Sequence, residues 1–74
     1  MTTKIDYDEN IKRSAEVFFT NKVDVHITLI SGSWCRGYIT AVNEDHLILD
    51  EFMDGTMPIM FNKILGIEKR RVKK

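Results

Sequence analysis

Two glycines, Gly32 and Gly37, interrupt one long alternating run from Val23 to Leu49, and they limit what this chain can fold into. Val23, Val25, Ile27 and Leu29 are apolar at every second position, with Asp24, His26 and Thr28 between them. A period of two is that of a strand with one face buried. Ser31-Gly32 breaks the run and reads as a tight turn. A second strand follows, with Gly37 in its interior. A glycine there leaves no side chain to pack and marks a sharp bend or a close backbone approach. A sheet bent hard at one point is how a short antiparallel meander curls toward a small barrel.

The flanking segments extend this pattern. Asp6 and Glu9 are spaced as a capping box, and Tyr7, Ile11, Ala15, Phe18 and Phe19 then fall on one helical stripe. Asn21 is a suitable stop, because asparagine tolerates the left-handed conformation at a helix end. Asn43-Glu44-Asp45 is a polar turn, and Asp54-Gly55 is a strong hairpin signal. Pro58 belongs at the start of the fourth strand or on a sheet edge, since it offers no donor to a ladder. Asn62-Lys63 turns the chain again before a short fifth strand. The fold class expected is mostly β: a short N-terminal α-helix over about 6–20, then a strongly bent five-stranded antiparallel sheet. Its strands are placed at about 23–30, 33–42, 46–52, 57–61 and 64–70.

A 74-residue chain buries only roughly 60% of the surface its unfolded form exposes. Such a core is marginal unless disulfides, a metal or partner subunits add to it. The single cysteine, Cys35, has no partner for an internal disulfide and no companion cysteine for a metal site. Oligomerisation is the remaining route. The fourth strand, with Met57, Ile59, Met60 and Phe61, is apolar at nearly every position and asks for cover on both faces. No apolar stretch approaches the roughly 18 residues that span a bilayer, and no signal-peptide pattern is present, so a soluble cytoplasmic protein without a membrane partner is expected. Formal net charge is zero, which argues against a uniformly basic nucleic-acid binder. Five of the eleven Lys and Arg residues nevertheless fall in the last six positions, Lys69-Arg70-Arg71-Val72-Lys73-Lys74. That run reads either as a local phosphate attractor or as a solvated terminus.

The series Val25-x-Ile27-x-Leu29-x-x-Gly32-x-x-x-x-Gly37-x-Ile39-x-x-x-Asn43 resembles the first motif of the Sm/Lsm family, which includes bacterial Hfq. Ile59-Met60-Phe61-Asn62-Lys63-Ile64, leading into Leu65-Gly66-Ile67, is similar to the second, shorter motif. The resemblance runs from about Ile5 to Arg70. It implies a single Sm-like domain over 1–74, a small barrel with its helix laid across a curved sheet. It also implies a closed homo-oligomeric ring of five to eight subunits, the fourth strand of one pairing with the fifth of the next. Met57, Ile59, Met60, Phe61, Leu65 and Ile67 would then form the subunit interface.

The same resemblance implies single-stranded RNA as a partner, held near the pore by two loops. In the first, Asn43 stands where the family has aspartate; Asp45 stands where archaeal and eukaryotic members have an aromatic or histidine on which a base stacks. Leu47 replaces a base-reading asparagine, and Glu44 and Asp45 put negative charge near a phosphate. His46, one residue out of register, either swings in to stack or simply starts its strand. In the second loop, Phe61-Asn62-Lys63 stands where Hfq has Tyr/Phe-Lys-His, so Asn62 and Lys63 are candidates for a phosphate or base edge. The opposite face of an Hfq-like ring binds purine-rich RNA at the positions of Thr28, Gly32, Ser33, Trp34 and Arg36. Trp34 and Arg36 share one face of the second strand and suit base stacking; a tryptophan packed beneath the helix or at a protein interface is the other reading.

No catalytic constellation emerges. His26, His46 and Cys35 lack ligand spacing, and Gly32 and Gly37 are not followed by the Lys-Ser/Thr of a phosphate loop. Neither a catalytic residue, a metal nor a cofactor is expected. Two functions stand: an RNA-binding ring with altered base selectivity, and a ring of the same fold that scaffolds proteins.

Overall fold

The computed structural model describes residues 9–69. In chain order they form α1 (Glu9–Thr20), β1 (Asp24–Leu29), β2 (Trp34–Val42), β3 (His46–Glu51), β4 (Gly55–Met60), a 3-10 turn (Phe61–Lys63) and β5 (Ile64–Lys69). The proposed Asp6 capping start, Tyr7 and the run from Arg70 to Lys74 lie outside the described residues.

The helix packs Ala15 fully into the core, with Ile11 and Phe18 against it. Its end is a six-residue reversal. The Val23 N–H donates to the Phe18 carbonyl (3.0 Å) and the Lys22 N–H to that of Phe19 (3.2 Å), the two bonds of a Schellman motif. The left-handed residue is Lys22, with φ 54°, and not Asn21 as expected. Asn21 instead turns its amide back to the Val17 carbonyl at 2.9 Å.

All five strands belong to one antiparallel sheet in the order β4-β3-β2-β1-β5. The sheet is strongly bent but open: β4 and β5 are its two edges. Pro58 thus lies inside an edge strand, where a missing donor is tolerated. The inward residues are Val25 and Ile27, Cys35 and Ile39, Leu47 and Leu49, Ile59 and Ile64. The five largest fully buried side chains are Phe61, Ile27, Leu47, Leu49 and Val25. Each contributes roughly 1.5–3 kcal/mol of transfer free energy.

Two features bend the sheet. At Gly37 the backbone of β2 lies directly against that of β3, where a Cβ would overlap the Asp50 carbonyl. Three residues on, Ile39 pairs with Leu49 but Ala41 with Ile48, so Thr40 is an extra residue in the ladder. That bulge shifts the inward phase of β2 from Ile39 to Val42, and Thr40 bonds its hydroxyl to the Ile48 carbonyl at 3.3 Å. A second register shift lies between Thr28 and Leu29 opposite β5. The β3–β4 connection is a three-residue loop, Phe52-Met53-Asp54, closed by Gly55 at φ 78°. One carboxylate oxygen of Glu51 accepts from the Met53 N–H (2.8 Å) and the Asp54 N–H (2.7 Å), satisfying the loop's donors.

Phe61 is not the last residue of a strand, as its apolar run suggested. It opens the 3-10 turn with its side chain fully buried.

Candidate functional site

Two groups of candidate residues occupy opposite ends of β2. At its far end, Asn43, Asp45 and His46 form one hydrogen-bonded unit. The Asn43 N–H donates to the His46 carbonyl at 2.8 Å, closing the turn. His46 Nδ1 lies 2.7 Å from Asp45 Oδ1, and its Nε2 lies 3.1 Å from the Asn43 side-chain amide nitrogen. A carboxylate can only accept, so Nδ1 carries a proton; in the neutral ring Nε2 then accepts from Asn43. The bond from His46 holds the Asp45 carboxyl below its ordinary value of 3.8. His46 is therefore the first residue of β3 and a clamp on its own loop.

The Phe61 N–H donates to the Asp45 carbonyl at 3.0 Å, so this loop abuts the 3-10 turn. Asn62 and Lys63 of that turn are exposed, and the Lys63 carbonyl accepts from the Ile30 N–H at 2.9 Å. From the helix, Lys12 donates its ammonium to the Glu44 carbonyl at 3.3 Å. Asn43, Asp45 and His46 are thus brought together, and the 3-10 turn bridges two regions: Phe61 bonds to that loop at Asp45, while Lys63 bonds to the β1–β2 turn at Ile30, near the Thr28–Trp34 pair.

Trp34 does not pack beneath the helix. It is 59% exposed on the outer face of the sheet and stacks on His26, the ring centroids 5.1 Å apart. The Arg36 guanidinium sits over the Phe52 ring at 4.8 Å, and Phe52 meets Tyr38 edge-on at 6.0 Å. Register orders this face into rows, because directly opposed residues point the same way. One row runs Asp24–Tyr38–Asp50, the next Glu68–His26–Arg36, and the third Thr28–Trp34. The platform is therefore wider than two residues: His26, Tyr38 and Phe52 belong to it, and so do the exposed carboxylates of Asp50 and Glu68. Sequence reasoning missed His26 and Phe52 because they come from β1 and the β3–β4 loop, whose placement against β2 only the fold defines; Tyr38 follows Trp34 and Arg36 on β2 at the same spacing of two and was legible. The alternation of His26 with Val25 and Ile27 was the available signal.

The interface candidates divide. Met60 (41% exposed) and Leu65 (68%) are accessible on the two edge strands, and Met57 and Ile67 are partly buried. Ile59 and Phe61 belong to this chain's own core and offer little or no side-chain surface to a partner.

Among the described residues no group of three His, Cys, Asp or Glu side chains is arranged to hold a metal ion. Nor is any helix there long and apolar enough to cross a membrane. Cys35 is a buried free thiol, which burial, and then the nearby Glu51 carboxylate, push above the usual range. The chain matches no protein-family model and no curated protein.

Proposed function

We propose that this chain is an Sm-like subunit that assembles head to tail through β4 and β5 and binds single-stranded RNA on the assembled ring. The observation that carries the reading is the open sheet: its two edges are the fourth and fifth strands, each with an exposed apolar residue, Met60 and Leu65. An unpaired edge is a template for another strand, and two complementary edges on one small body generate a ring or a filament. Pairing β4 of one copy with β5 of the next satisfies both ladders and covers both side chains. The subunit count follows the resemblance, five to eight.

In such a ring Lys63 and Asn62 recur once per subunit beside the loop from Asn43 to His46. A modest phosphate contact, repeated around a ring, becomes a strong one. Asp45 and Asn43 already engage His46, so the loop has few free groups with which to read a base edge. Weak, backbone-dominated binding without uridine selectivity is the consequence. The scaffold reading keeps one specific support: Asp50 and Glu68 stand among the outer-face rings, where a phosphate would be repelled.

Sedimentation of the intact chain with and without oligo-U, at two salt concentrations, tests both halves. A ring-sized species whose RNA affinity falls steeply with salt is expected. A stable monomer of 8.6 kDa overturns the assembly, and a ring with no RNA affinity at low salt leaves the scaffold.

A further inference from the structure

The outer face of β1, β2 and β3 combines exposed rings with a surplus of acid. Trp34, Tyr38 and Phe52 are all exposed there. Around them stand Asp24, Asp50 and Glu68, with Arg36 as the one arginine or lysine in the three rows. A platform for single-stranded nucleic acid couples rings with cations; this one couples rings with carboxylates. Rings flanked by carboxylates favour a cation, above all a guanidinium, which stacks on an aromatic face and bonds to a carboxylate at once. The face already holds one such contact, Arg36 over Phe52 at 4.8 Å.

A cationic segment begins where this face starts. Lys69 is the last described residue, and it pairs with Val25, the chain neighbour of Asp24. Beyond it come Arg70, Arg71, Val72, Lys73 and Lys74. Five residues reach about 17 Å when extended. Adjacent strands are about 4.8 Å apart, so β1, β2 and β3 lie roughly 5, 10 and 14 Å from β5. The row Asp24–Tyr38–Asp50 is within that reach.

We infer that the outer aromatic and acidic face of β1–β3 is a docking surface for the chain's own basic segment, Arg70 to Lys74. The guanidinium groups of Arg70 and Arg71, one and two residues past Lys69, stack at the Tyr38 row. Lys73 and Lys74, at the end of the reach, lie toward Trp34, and the charges are met by Asp50 and Glu68. The segment thereby covers the face that Trp34 and Arg36 would otherwise offer to nucleic acid. This inference does not depend on the ring.

Trp34 is the only tryptophan of the chain, so its fluorescence reports on this face alone. Emission and quenching by acrylamide, a neutral quencher, are compared for the intact chain and a chain ending at Lys69. The truncated chain is expected to emit at longer wavelength and to be quenched more strongly. Excess synthetic peptide Arg-Arg-Val-Lys-Lys restores the intact values saturably, and high salt abolishes the restoration. A double substitution, Asp50→Asn with Glu68→Gln, makes the intact chain behave like the truncated one; both sites are exposed, and circular dichroism checks that the fold is kept. Identical quenching of intact and truncated chains, with no response to the peptide, overturns the inference. Protection of Trp34 by oligo-A and not by the peptide overturns it in favour of a nucleic-acid platform. Protection that depends on protein concentration in the truncated chain overturns it in favour of a second copy on this face. Sedimentation of the same samples reports assembly separately.

Discussion

Replacing Gly37 with alanine sets a methyl carbon on the carbonyl oxygen of Asp50, 2.9 Å from that carbonyl's carbon and 3.0 Å from the Glu51 Cα. All three atoms are backbone, so no side chain can swing aside. Restoring ordinary contact requires β2 and β3 to separate by roughly 1 Å, and Leu49 and Ile39 are packed on the inner side of that junction. Overpacking of this kind costs about 1–3 kcal/mol when side chains give way, and more when backbone must. A chain this size holds roughly 4–11 kcal/mol in total, so Gly37→Ala loses a large fraction of its stability, and Gly37→Val, with two more carbons at the same point, does not fold. Gly66→Ala is the matched control: it lies in β5, and a Cβ there meets nothing within 4 Å. Its effect is expected within about 0.5 kcal/mol. Urea denaturation followed by Trp34 emission, at one fixed chain concentration because assembly adds to apparent stability, measures both. Coincident midpoints for Gly37→Ala and the parent would refute the reasoning, and the bend would then rest on the Thr40 bulge alone.

Met60→Lys and Leu65→Lys, at exposed edge positions, are expected to remove the assembled species in sedimentation and, with it, the stability that assembly adds; Ile59→Lys puts a charge into the core and abolishes folding as read by circular dichroism. Lys63→Ala is expected to weaken oligo-U binding and to flatten its salt dependence in titrations at two ionic strengths, and an unchanged salt slope counts against that site. Asp45 has its carboxyl lowered in the folded chain, so its contribution is present above the ordinary carboxylate range and is lost as pH falls through the folded value. Urea midpoints measured from about pH 5 to pH 2 should therefore fall more steeply for the parent than for Asp45→Asn; parallel acid limbs would contradict the His46 clamp.

The alternation of Val23, Val25, Ile27 and Leu29, the turns at Gly32 and Gly55 and the polar turn at Asn43 made the five strands and their order along the chain legible, because each is a local signal. What was hidden depends on pairing. Thr40 looks like any strand residue until Ile39 and Ala41 are found opposite consecutive residues of β3. Phe61 continues an apolar run by eye, yet its burial is set by the turn that follows it. Asn21 was the better left-handed residue by propensity, but the Schellman bonds put that conformation on Lys22. At the candidate sites, Trp34 and Arg36 could be placed on one strand face from their spacing. The carboxylates that change the chemistry of that face, Asp50 and Glu68, come from β3 and β5, and no spacing along the chain relates them to Trp34.

The strand order has a kinetic consequence. Three of the four pairings, β1 with β2, β2 with β3 and β3 with β4, join chain neighbours through short turns. The fourth, β1 with β5, closes the whole sheet, from Val25 in the first strand to Lys69 in the last. Loop-closure entropy makes such a contact the slow one, so the meander from β1 to β4 precedes the arrival of β5. During synthesis β5 is also the last strand to leave the ribosome. The β5 edge that would receive another chain's β4 therefore comes into being only when the protomer's own folding finishes; until then β1 is the open edge, and prompt docking of β5 is what keeps it from pairing with a neighbour.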